Sequence, residues 1–186
     1  MQHEIFLALA GCPGSTFTVS RESGLFEVIT DLPFIHPSEV AILNRLSGLG
    51  TYYKQLNDFT KQQTTFCTAL DLIKDEGNLY HKAMAYGFDK VLDSYRKKLV
   101  DVEQKCMMQP DLPISHIQHE FEDFQLLLPA LDSCLKYVHN HKLQGCQILS
   151  FLHQQCSSGI SSVETAFTRI LDTCPMCFHK QLSAWM

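Results

Sequence analysis

Four stretches of this chain carry apolar residues at alternating steps of three and four. Ile42, Leu46, Leu49, Tyr53 and Leu56 form the first, and Phe88, Leu92, Tyr95, Leu99, Val102 and Cys106 the second. Ile117, Phe121, Phe124, Leu128, Leu131, Leu135 and Val138 form the third, and Val163, Phe167, Ile170 and Cys174 a shorter fourth. Such steps line side chains along one face of a helix, whereas a strand repeats every two residues. The predicted fold class is therefore all-α, with stacked helical bundles and antiparallel neighbours joined by short connections. Breaks are expected at Glu76-Gly77-Asn78, Gln109–Pro113, Asn140–Gln144 and Ser157–Gly159. Capping boxes are read at Ser115 with Gln118 and at Ser161 with Glu164. Pro129 falls inside the third pattern and removes a backbone donor, so a kink or break is expected near Leu126.

The N-terminal region reads differently. A short helix from Gln2 to Ala10 is stopped by Gly11 and Pro13. Thr16–Val19 and Leu25–Ile29 flank Ser20-Arg21-Glu22-Ser23-Gly24, a five-residue turn with glycine, which predicts one short β-hairpin. Asp31–Pro37 is too rich in proline for helix, and each proline pushes its predecessor toward extended geometry.

Charge narrows the partners. The formal net charge is −5, and the one tight basic run, Arg96-Lys97-Lys98, lies in a helical pattern that fans its members around the axis. An acidic chain without a basic face predicts no nucleic-acid partner and no anionic-membrane partner. Leu9-Ala10-Gly11-Cys12 resembles a lipoprotein cleavage box. A secretory signal also needs a cationic start, yet the first Lys or Arg is Arg21. No apolar run approaches the ~20 residues of a membrane span, so no membrane insertion is expected. The eight cysteines have no compact disulfide spacing, and reduced thiols of a cytosolic protein are expected.

One motif has chemical potential. Cys174-Pro175-Met176-Cys177, followed by His179, has the spacing of a zinc-chelating or redox pair. Zinc needs a second close ligand pair, and Cys146 and Cys156 are ten residues apart on another predicted helix. The competing reading makes Cys174 a small core residue and Pro175 the start of a new helix. His116 with His119, and His139 with His141, are read as solvated histidines on polar helix faces. There is no nucleophile elbow, Walker loop or dinucleotide fingerprint. Catalytic residues, cofactors and metals are therefore expected to be absent, leaving a non-enzymatic protein that works through its surfaces.

Several phrases occur in an order that resembles the N-terminal region of the gamma-tubulin complex components. They are Leu7–Gly14, Asp31–Glu39 continuing to Leu43-Asn44-Arg45-Leu46, Pro113–His116, Phe124–Leu127, Gly145–Leu149 and Lys180–Met186. The motif positions carried by the resemblance are Pro33, Phe34, His36, Pro37, Gly145, Gln147, Gln181, Leu182 and Trp185. Pro33, Phe34, His36 and Pro37 are read as setting how the chain enters the long helix. The resemblance implies that residues 1–186 form one N-terminal helical domain of a scaffold subunit of the gamma-tubulin ring complex, which templates microtubule assembly. It implies lateral contacts with other components, location at the cytoskeleton and microtubule-organising centres, and gamma-tubulin binding through a C-terminal half. Lys61–Asn78 is shorter than the resemblance implies, and the chain stops inside the Trp motif, so a fragment lacking that half is expected. Two alternatives stand beside this reading: a helical subunit of a vesicle-tethering complex, and a zinc or redox module on Cys174 and Cys177.

Overall fold

The computed structural model describes residues 2–20, 23–29, 35–65, 76–157 and 159–173. Their elements run α1 (Gln2–Leu9), β1 (Phe17–Val19), β2 (Phe26–Val28), α2 (Pro37–Thr65), α3 (Glu76–Met108), α4 (Ile114–Glu120), α5 (Glu122–Asn140), α6 (Cys146–Gln155) and α7 (Ser161–Thr173). The fold is all-α with a single antiparallel hairpin among the described residues, in the register Phe17 with Val28, Thr18 with Glu27 and Val19 with Phe26. The chain divides into two compact units. One comprises Met1–Gln55 and Ser94–Pro129, the other Leu56–Asp93 and Ala130–Met186, and α2, α3 and α5 contribute residues to both.

In the first unit, α1 ends as its sequence suggests. Gly11 takes a left-handed φ of 84°. The Cys12 N–H donates to the Leu7 carbonyl at 2.9 Å and the Gly11 N–H to the Ala8 carbonyl at 3.0 Å, closing the last turn. Gly50 of α2 lets α1 approach: a Cβ there would lie 1.7 Å from the Ala8 carbonyl oxygen. The hairpin leans on α2 through side chains. Thr51 Oγ1 accepts from the Phe26 N–H at 2.8 Å, Asn44 Oδ1 accepts from the Val28 N–H at 2.8 Å, and Ser47 Oγ donates to the Phe26 carbonyl at 2.6 Å. The core gathers round Tyr95, whose ring centroid is 5.1 Å from Tyr53, 5.7 Å from Phe121 and 5.2 Å from Phe124. Each fully buried Leu, Ile or Phe contributes about 1.5–3 kcal/mol over its exposed state.

In the second unit, Phe88 packs on Phe59 with centroids 6.0 Å apart. Met84, Leu92, Leu131, Ile148, Leu152, Phe167 and Ile170 are buried. Helix α7 lies close on α3 at Gly87, where a Cβ would sit 2.9 Å from Thr173 Oγ1. That hydroxyl donates to the Ile170 carbonyl at 2.6 Å and also lies 3.3 Å from the Ala83 carbonyl. The ring of Tyr137 stacks between His141, at 4.0 Å, and Phe151, at 4.4 Å.

Three local expectations are corrected. Helix α3 begins at Glu76, so Glu76-Gly77-Asn78 opens a helix and does not break one. Helix α5 runs unbroken through Leu126 and Pro129, and the interruption falls at Phe121 (φ −104°, ψ 11°). Burial of Leu127, Leu128 and Leu131 on both sides of Pro129 holds the helix across the lost hydrogen bond. Ser115 does not cap α4: Pro113 is the cap, extended at φ −69° and ψ 149°, with no side-chain bond, and Ser115 falls in the first turn.

Candidate interaction surface

The motif positions fall into separate places. Pro37 is the first residue of α2, where its missing N–H costs nothing. His36 precedes it and acts as a cap. Its carbonyl accepts from Glu39 N–H at 2.9 Å and Val40 N–H at 3.1 Å. Its Nδ1 accepts from Ser38 N–H at 3.2 Å, and its own N–H donates to Glu39 Oε2 at 3.3 Å. This is a reciprocal capping arrangement with histidine in the place usually held by serine or threonine. Gly145 caps α6 with φ 58° and ψ −131°, a backbone open to glycine and strained for other residues. Gln147 is exposed in the first turn of α6. His36 and Pro37 belong to the first unit, Gly145 and Gln147 to the second. Pro33, Phe34, Gln181, Leu182 and Trp185 lie outside the described residues, as do Cys174, Cys177 and His179.

Sequence reasoning missed a charge cluster in the first unit. Glu120, at the end of α4, accepts from Lys98 Nζ and from Lys105 Nζ at 2.9 Å, with His116 Nε2 3.5 Å away. Those lysine hydrogen bonds, Lys98 first, hold the carboxyl down at about 2. The Arg96-Lys97-Lys98 run is thereby split: Arg96 Nε donates to the Tyr53 hydroxyl at 3.2 Å, Lys97 is exposed and Lys98 meets Glu120. Beside the cluster is a cleft of about 340 Å³ lined by Lys105, Met108, Gln109, Leu112, His116 and Glu120. Met108 in its lining is 83% exposed, and Met107 and Val100 on the same helix are 75% and 50% exposed. Of the histidines read as solvated, His119, His139 and His141 are exposed; His119 also pairs with Glu122 at 3.1 Å, and the ring of His141 stacks on Tyr137.

A second cleft in this unit, of about 190 Å³, is lined by Arg45, Ser115, Gln118, His119, Glu122 and Gln125. These residues come from α2, α4 and α5, so no short motif marks them. Among the described residues, no three His, Cys, Asp or Glu side chains converge as a metal site, and no helix is long and apolar enough to cross a membrane. Cys12, Cys106, Cys134, Cys146 and Cys156 are free thiols; burial pushes Cys134 up to about 12.

The fold defines an all-helical module whose described outer faces carry polar clefts and methionines. Comparison of its sequence with known families assigns it further. The family described as gamma tubulin complex component N-terminal matches residues 3–186, and the chain belongs to that family. It is 41% identical over 192 residues to gamma-tubulin complex component 4 of Mus musculus, covering 100% of this chain and 29% of that protein. The Homo sapiens protein of the same name gives the same figures. Gamma-tubulin complex component 4 of Arabidopsis thaliana is 27% identical over 219 residues, covering 100% of this chain and 29% of that protein. The chain thus spans about three-tenths of the length of these relatives.

Proposed function

We propose that this chain is a non-catalytic scaffold region of a gamma-tubulin ring complex, acting in microtubule nucleation by side-by-side contact with other gamma-tubulin complex components. The observation that carries the reading is the family match over residues 3–186. The physics suits it. Long helices with apolar faces committed to their own cores leave polar clefts and scattered apolar side chains for a neighbour, and many weak contacts repeated around a ring add up through avidity. On this reading residues 1–186 act as one N-terminal module, and gamma-tubulin is held by the part of the relatives that this chain does not span. The place of action is the cytoplasm and its microtubule-organising centres. His36, Pro37 and Gly145 serve as structural caps and not as contact residues.

Co-purification tests the reading. The 186-residue chain is mixed with N-terminal domains of other family members and, separately, with isolated gamma-tubulin. Weak, saturable association with at least one family member and none with gamma-tubulin is expected. Strong binding to gamma-tubulin alone would show that the contact function has been assigned to the wrong part of the family. Recovery of membrane-tethering subunits in place of family members would favour a vesicle-tethering role.

A further inference from the structure

We draw no further inference here: the strongest candidate, the exposed methionine patch of Met107 and Met108 at the C-terminal end of α3, where Met108 lines the cleft beside the Glu120 cluster, carries nothing because nothing in the structure shows what covers it.

Discussion

The Tyr95 hydroxyl donates a 2.9 Å hydrogen bond to the Leu9 carbonyl, across 86 residues of sequence. Leu9 ends α1, so this carbonyl is one of the acceptors a helix leaves unpaired at its C-terminus. Tyr95 is fully buried, and that burial pushes its phenol far above the ordinary value. The burial favours the protonated phenol, the form that donates this bond.

Tyr95→Phe keeps the ring among Tyr53, Phe121 and Phe124 and removes the donor. The Leu9 carbonyl is then left buried without it, and a loss of about 1–3 kcal/mol is expected in urea unfolding. A change within error would show that water reaches this carbonyl.

Gly50 and Gly48, two residues apart on α2, should respond in opposite directions to alanine. A Cβ at Gly50 meets the Ala8 carbonyl oxygen at 1.7 Å, whereas one at Gly48 meets nothing within 4 Å. Gly50→Ala must displace α1 and is expected to cost more than about 2 kcal/mol. Gly48→Ala is expected to gain about 0.5–1 kcal/mol from helix propensity. Thermal melts of the two variants check the pair.

The Glu120 cluster predicts a pH dependence. Its carboxyl sits at about 2 when folded against 4.5 for the free group, so the unfolded chain binds its proton more readily. The stabilisation is fully present above about 4.5 and is lost as pH falls toward 2. Glu120→Gln should cost about 1 kcal/mol at neutral pH, the scale of a solvent-screened ion-pair network. The gap between variant and parent should close on acidification through that window, read by denaturant titration at successive pH values.

Lys142 stands at the end of α5 with φ 48°, a left-handed backbone in a non-glycine residue. The Leu143 N–H reaches the Val138 carbonyl at 3.1 Å and the Lys142 N–H the His139 carbonyl at 3.2 Å, the same closure glycine makes after α1. Lys142→Gly should stabilise by about 0.5–1 kcal/mol, measured as a higher unfolding midpoint. Gly145→Ala, where φ is also positive, should destabilise by about 1–2 kcal/mol although no atom lies within 4 Å of the added methyl group.

Local order was legible where neighbours in sequence decide it. Thr16–Val19 and Leu25–Ile29 bracket the observed strands, and the pairs Ser20 N–H to the Leu25 carbonyl (2.8 Å) and Ile29 N–H to the Thr16 carbonyl (3.1 Å) extend them. The apolar stripes mark the buried faces, although Ile42 and Leu99 are only half-buried, with Leu43 and Val91 taking full core places. The stripe from Ile117 to Val138 concealed the break at Phe121, because Ile117 and Phe121 are both buried and one residue of irregular backbone does not interrupt the periodicity. Ser115 misled because a capping box names residue types and ignores the proline two places earlier that already ends the loop. Neither the Glu120 cluster nor the Arg45 cleft has a linear signature: Lys98 and Glu120 are 22 residues apart, and Arg45 reaches α4 and α5 only through tertiary packing.

Strands of three residues are too short to hold their own register. Here the outer edge of β2 is read by Asn44, Ser47 and Thr51, residues that leave the ribosome after the hairpin has already emerged. The hairpin thus settles only after α2 has been made as far as Thr51, and not when its own strands emerge. Amide exchange at Phe26 and Val28 then reports whether α2 has docked, and serves as an internal clock for the assembly of this unit.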